Sequence, residues 1–100
     1  MGAFNFEDRA YARSADAAFS AATKEALYNE GHNPYNGTIS TNDSFVMVPL
    51  KEDESLAQWR MRVCDNPDIC KWGPCGCVKD PFTPGENGRF FWHFAGWAAC

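Results

Sequence analysis

Residues 3–30 form the longest stretch of the chain without glycine or proline, and this constrains the fold more than any other feature. Eight alanines lie between Asn5 and Glu30, and alanine has the highest helix propensity of all residues. The composition predicts one helix from Asn5 to Glu30, with Asn5 as N-cap and Asp8 as the carboxylate of a capping box. The predicted buried stripe consists mostly of alanine, which would let this helix lie close against a sheet: Tyr11, Ala15, Ala18, Ala22 and Ala26.

The segment GHNPYNGTIST, Gly31 to Thr41, follows this helix. Gly31 suits the left-handed position that ends a helix, and the glycine, proline and asparagine residues after it predict turns. Thr38 to Thr41 is predicted as a short strand with Ile39 pointing inward. Several polar and aromatic side chains make the segment a candidate binding loop: His32, Tyr35, Asn36, Thr38, Ser40 and Thr41. The alternative is a connector in which asparagine and threonine satisfy local backbone groups.

The remaining chain predicts one more helix and further strands. A hairpin turn at Asn42-Asp43 leads into a strand from Ser44 to Val48, and a helix begins at Asp53 or Ser55 and ends near Arg62. Two more strand segments, 69–72 and 75–79, flank a kink at Gly73-Pro74, and the last strand follows a turn at Asn87-Gly88. The order predicts a single α+β domain over residues 1–100, with about four antiparallel strands and both helices on one face of the sheet.

The last strand, Arg89 to Ala98, is apolar on both faces. Strands of this kind are usually central and covered on both sides. An exposed part of this aromatic sheet would be an interaction surface, and its candidate residues are Trp72, His93 and Trp97. We interpret His93 as a hydrogen-bonded core or interface histidine in preference to a metal ligand or base.

Five cysteines are expected to be reduced thiols: Cys64, Cys70, Cys75, Cys77 and Cys100. The first four could supply the thiolate ligands that zinc prefers, with His93 available from the neighbouring strand. However, none of them forms the C-x2-C pair typical of structural zinc sites. A zinc-stabilised domain is therefore an alternative, and otherwise no cofactor is expected. A Cys/His-dependent enzyme is a further alternative, using Cys75 or Cys77 with His93 or His32. No signature of such an enzyme is present, so no catalytic residue is assigned.

Charge and hydropathy limit the classes of partner. The net charge is −4, and no basic cluster of the kind that binds nucleic acid is present. The sequence shows no secretory leader and no apolar run long enough to cross a bilayer. We therefore expect a cytoplasmic protein that binds neither nucleic acid nor membranes.

Three segments together carry a resemblance to a known group: GHNPYNGTIST after the alanine-rich helix, KWGPCGC at residues 71–77, and FWHFAGWAA at residues 91–99. The chain resembles small uncharacterised proteins encoded by bacteriophages of actinobacteria. The resemblance implies a setting inside a bacterial host cell, and no particular biochemical activity. We expect an accessory protein that acts by binding a host protein or a small ligand, with self-association as a further possibility.

Overall fold

A computed structural model of the chain describes residues 3–30, 39, 44–67, 69, 74–83 and 85–99. Two helices and four strands are present, which confirms the α+β class. The elements in chain order are β1 (Ala3–Ala12), α1 (Ala15–Glu30), β2 (Ser44–Met47), α2 (Leu56–Cys64), β3 (Pro74–Lys79) and β4 (Phe90–Ala99).

The four strands form one sheet in the order β1-β4-β3-β2. β4 pairs antiparallel with both β1 and β3, but β2 pairs parallel with β3. The prediction of an antiparallel sheet was therefore wrong for one of the three pairings. The reason is that α2 connects β2 to β3, and a crossover helix returns the chain to the same end of the sheet, as parallel pairing requires.

The predicted start of the first helix was wrong. Asn5 to Ala12 belongs to β1, and α1 begins only at Ala15. Ser14 starts the helix, because its side-chain oxygen accepts a hydrogen bond from Ala17 N at 3.2 Å and its carbonyl accepts one from Ala18 N at 3.0 Å. Ten consecutive residue pairs join β1 to β4, and this long pairing outweighs the helix propensity of the alanines.

The two helices lie on opposite faces of the sheet, contrary to the prediction that they share one. Consecutive strand residues point to opposite faces. Cys77 and Phe94 pack with α1, whereas the next residue of each strand, Val78 and Ala95, packs with α2. We call these two sides the α1 face and the α2 face. β3 and β4 carry apolar side chains on both faces of the sheet. A layer of helices on one face would leave the apolar side chains of the other face exposed to water.

The α1 face contains the larger cluster of buried residues. Ala18 and Ala22 are buried against Cys75, Cys77 and Phe94, which confirms the predicted alanine stripe within α1. Three aromatic rings extend this cluster, with centroids 5.2 to 6.1 Å apart: Phe19, Phe45 and Phe94. Ile39 is also buried here, as predicted, but it lies in a 3-10 turn and not in the predicted strand.

The predicted second helix is confirmed. Ser55 forms a capping box with Gln58, and Trp59 and Val63 are buried on one face of α2. The Trp59 indole N–H donates to Val48 O at 2.7 Å, which ties the helix to the segment after β2. Gly76 lies directly under α2, where an added Cβ atom would approach Val63 Cγ1 to 2.5 Å. The helix can therefore sit at this distance only over a residue without a side chain.

β4 lies between β1 and β3 and is covered on both faces, as predicted. The turn before it is also where the sequence placed it. Asn87 and Gly88 both have positive φ angles, 55° and 76°, and Glu86 pairs with Arg89 across them. Two positive φ angles define the tight hairpin turn for which Asn-Gly is the preferred sequence.

Candidate functional site

The α2 face is only partly covered. Helix α2 packs over β4 and β3, whereas the side chains that β1 places on this face remain exposed: Asn5, Glu7, Arg9 and Tyr11. A concave region of about 320 Å³ lies here and is lined by Glu7, Asp8, Arg9 and His93. We call this region the β1 groove.

Phe91 of β4 positions two side chains beside the β1 groove. Tyr11, its partner in the strand register, makes an edge-on contact with a centroid distance of 5.0 Å. The Arg9 guanidinium lies 4.9 Å from the centroid of the same ring. The Tyr11 hydroxyl also accepts a hydrogen bond from Glu86 N at 3.1 Å. An arginine and a tyrosine are thus held next to each other on an exposed strand.

Glu7 is held less firmly. Its carboxylate lies 3.9 Å from an Arg60 nitrogen of α2, and both side chains are well exposed. An exposed ion pair at this distance contributes little to stability. Glu7 is therefore available to a cationic partner, which makes the β1 groove a surface of mixed charge.

His93 lines the β1 groove, and its imidazole is hydrogen-bonded to Asp80. His93 Nε2 and Asp80 Oδ2 are 2.9 Å apart, and the Asp80 residue is 5% exposed. Asp80 also accepts hydrogen bonds from Phe82 N at 2.7 Å and from Thr83 N and Oγ1, each at 3.2 Å. Burial raises the pKa of Asp80, but these hydrogen bonds together outweigh burial and lower it. The carboxylate therefore stays ionised and orients the imidazole.

The predicted site residues have separate outcomes. The six candidates of the 31–41 segment and Trp72 lie outside the residues that the structure describes: His32, Tyr35, Asn36, Thr38, Ser40, Thr41 and Trp72. His93 lies in the β1 groove. Trp97 packs in the cluster under α2, and its indole N–H donates to Cys64 O at 2.8 Å. Trp97 thus anchors the end of α2.

The described cysteines are free thiols, with Cys64 at the end of α2 and Cys75 and Cys77 in β3. Burial raises the pKa of Cys75 and of Cys77 to about 12, with smaller contributions from the charge of Cys77 and of Asp16, respectively. Both pack on the α1 face, whereas His93 lies on the α2 face. Burial also raises the pKa of Cys64, whose thiol donates to Gly96 O at 3.7 Å. The two buried thiols and His93 thus lie on opposite faces of the sheet, and a Cys/His-dependent enzyme stays a prediction.

The zinc alternative stays a prediction. Within the described parts of the chain, no three His, Cys, Asp or Glu side chains form a group that could hold a metal ion. Cys64 ends α2, while Cys75 and Cys77 lie among the buried residues under α1. Cys70, the fourth proposed ligand, is outside the described residues.

Sequence reasoning missed the β1 side chains of the groove and the Asp80–His93 pair. Phe6, Ala10 and Ala12 alternate with Glu7, Arg9 and Tyr11, which is a period of two typical of a strand. The alanine content of the stretch obscured this signal. The contact of Asp80 with His93 follows from the register in which Lys79 pairs with Trp92.

Comparison of the chain with protein-family models, with curated proteins and with solved structures finds no match in any of the three. The resemblance to phage-encoded proteins therefore remains a prediction. In the described part of the chain, neither helix has the length and apolar character needed to cross a membrane.

Proposed function

We propose that the chain is a non-catalytic binding module that uses the β1 groove, with Arg9 in the groove and Tyr11 beside it, to bind a segment of another protein. The observation that carries this proposal is the Phe91 ring, which holds both side chains in contact with itself while Tyr11 remains 40% exposed. Tyrosine and arginine are enriched among the residues that dominate binding energies at protein interfaces.

Tyr11 and Arg9 are already held in place in the free protein. A side chain that is already ordered in the free protein loses less conformational entropy when a partner binds, and a smaller entropic cost gives a higher affinity. Tyr11 is restrained by Phe91 and by Glu86, and Arg9 by Phe91. The mixed charge of Glu7 and Arg9 suits a partner segment that carries both signs, and this favours a protein over a purely anionic ligand.

The resemblance to phage-encoded proteins supplies a biological setting for the proposal. A small accessory protein of this type would act in the cytoplasm of a bacterial host and change the behaviour of one host protein by occupying its surface. Sequestration of a small ligand in the 320 Å³ groove is the second form of the same proposal. Affinity capture separates the two, because only the first requires a macromolecular partner.

The test is affinity capture from a bacterial extract, followed by mass spectrometry and titration calorimetry with each purified candidate partner. We expect Tyr11→Ala and Arg9→Ala each to weaken binding by about tenfold or more, as is usual for truncation of a central interface residue. Tyr28→Ala is the matched control, because Tyr28 is a 90% exposed tyrosine on α1, away from the groove.

Three results would count against this proposal. One is a captured partner that binds the Tyr11→Ala and Tyr28→Ala variants equally well. A second is a partner whose binding is lost only in the Tyr28→Ala variant. The third, which counts against the protein-binding form, is the absence of any protein captured by the wild type and lost with Tyr11→Ala. Thermal unfolding of each variant establishes that a loss of binding is not a loss of folding.

A further inference from the structure

We propose that β1 is a self-complementary edge strand through which two copies of this chain associate, in an antiparallel register centred on Asp8 that pairs Glu7 of each copy with Arg9 of the other. This inference goes beyond the proposed function and does not rest on it. It uses the outer backbone edge of β1, and its register also involves the Glu7 and Arg9 side chains of the β1 groove.

The backbone of β1 is suited to such pairing. β1 is ten residues long and stands at one edge of the sheet, with β4 on its inner side. Among the described residues, no strand pairs with its outer side. Alternate N–H and C=O groups of an edge strand point away from the sheet and are a template for another strand. Pairing through β1 would join two four-stranded sheets into one of eight strands.

The side chains decide the register. In an antiparallel pair related by a two-fold axis, opposite residues lie on the same face, so their numbers add up to a constant even value. A sum of 16 aligns residues 4–12 of the two copies. It places Glu7 opposite Arg9 twice, on the α2 face, and Phe6 opposite Ala10 twice, on the α1 face. Opposite charges directly across a strand pair are stabilising.

The neighbouring registers are disfavoured by the same side chains. Shifting the sum to 14 places Glu7 opposite Glu7, and shifting it to 18 places Arg9 opposite Arg9. Like charges directly across a strand pair are destabilising. The order of charges in β1 therefore favours this register over the two registers next to it.

Asp8 opposes the selected register in two ways. It lies on the two-fold axis and faces its own copy on the α1 face, and its Oδ1 accepts a hydrogen bond from Arg9 N at 2.8 Å that pairing with a second copy would replace. It is already in an unfavourable environment for a negative charge. Burial raises its pKa, the hydrogen bond from Arg9 N lowers it, and the charge of Glu25 raises it, with a net increase. This cost gives a diagnostic variant, since Asp8→Asn removes a repulsion that occurs only in this register.

The test is sedimentation equilibrium of the purified full chain over a wide concentration range, with no partner present. We expect a reversible monomer–dimer equilibrium. Glu7→Lys and Arg9→Glu each replace two attractions per dimer by two repulsions, and we expect each to raise the dimer dissociation constant by about tenfold or more. The double variant Glu7→Arg/Arg9→Glu restores opposite charges across the axis and should recover most of the affinity.

Asp8→Asn is expected to tighten the dimer, by about two- to fivefold. Hydrogen–deuterium exchange of the wild-type protein at high and low concentration provides a second measurement that needs no variant. Exchange at alternate β1 amides should slow at high concentration, and exchange in β2, the other edge strand, should not.

Each outcome decides the proposal. A wild-type protein that is monomeric at all concentrations overturns it, and so does a dimer whose affinity is unchanged by both single charge reversals. A dimer that protects β2 in place of β1 also overturns it. If a charge-reversed variant fails to fold, the exchange pattern of the wild type decides alone. Failure of partner capture in the preceding experiment has no bearing on these results, and the reverse also holds.

Discussion

The two faces of the sheet are covered by helices that attach in different ways. α1 presents a stripe of alanines to the sheet and packs on apolar side chains, including two buried thiols. α2 buries only Trp59 and Val63 and is also held by directed hydrogen bonds, from the Trp59 indole to Val48 O and from the Trp97 indole to Cys64 O. A helix with a long apolar stripe is positioned by close packing. One with a small apolar surface needs specific polar contacts to define its position.

The difference in helix length has a functional consequence. α1 has sixteen residues and is about 24 Å long, whereas α2 has nine and is about 14 Å long, given the rise of an α-helix. The short helix covers β3 and β4 and leaves the β1 side of the α2 face open. The β1 groove exists because of this incomplete cover. Four predictions test the contrast between the two faces, in order of decreasing effect.

Phe94→Ala is expected to destabilise the protein most, by about 3–5 kcal/mol, because it leaves a cavity in the centre of the α1 face. Phe94 is fully buried and contacts the rings of Phe19 and Phe45. Urea unfolding at neutral pH measures the loss. Phe82→Ala is the control, since Phe82 is 64% exposed and its truncation should cost less than about 0.5 kcal/mol. Equal effects of the two variants would contradict the assigned core.

Gly76→Ala is expected to cost about 1–3 kcal/mol, because the added methyl group would overlap Val63 and push α2 away from the sheet. A double-mutant cycle measures this coupling. In a Val63→Ala background the cost of Gly76→Ala should be clearly smaller, since the overlapping atoms are gone. A cost that is the same in both backgrounds would mean that the spacing of α2 is not set by this contact.

Asp80→Ala is expected to cost about 1–3 kcal/mol, because it removes a buried carboxylate that accepts hydrogen bonds from part-buried groups of Phe82, Thr83 and His93. Glu86→Gln is the control, a change in an exposed side chain near the same loop. The pKa of Asp80 is lower in the folded protein than its ordinary value of 3.8. Its contribution is therefore present above pH 3.8 and lost as the pH falls below it. An Asp80→Ala penalty that persists undiminished in acid would contradict this assignment.

Glu54→Gln tests the polar attachment of α2 and should have the smallest effect. The Glu54 carboxylate accepts two hydrogen bonds from Arg62, at 2.7 and 2.9 Å, and mainly these lower its pKa from 4.5 to about 2. Because the folded pKa is depressed, the stabilisation is present above pH 4.5 and disappears as the pH falls toward about 2.

The measurement for Glu54 is the urea midpoint of the wild type and the variant between pH 7 and pH 2. The difference between them should be constant above pH 4.5 and should narrow below it. Glu52→Gln is the matched control, because Glu52 is an exposed acid two residues away. If the urea midpoints of Glu52→Gln and Glu54→Gln change with pH in the same way, the ion pair of Glu54 with Arg62 is not the cause of the pH dependence.

The candidate site was only partly predictable from the sequence. His93 was recognised as a hydrogen-bonded histidine beside an interaction surface, and it contacts Asp80 as that interpretation requires. Arg9 and Tyr11 were instead placed on a helix. Their common neighbour Phe91 is eighty or more positions away in the chain, and no local pattern indicates a contact over such a separation.

The sequence by itself determined the features whose causes lie within a few residues. The capping box of Ser55 and Gln58, the turn at Asn87-Gly88 and the alanine stripe of α1 are of this kind, because backbone propensity and capping act locally. Only the tertiary structure decided that β1 is a strand, that β2 runs parallel to β3 and that the helices lie on opposite faces. These outcomes depend on which strands pair with β4 and β3, and strand pairing is a competition between distant segments that local preferences do not settle.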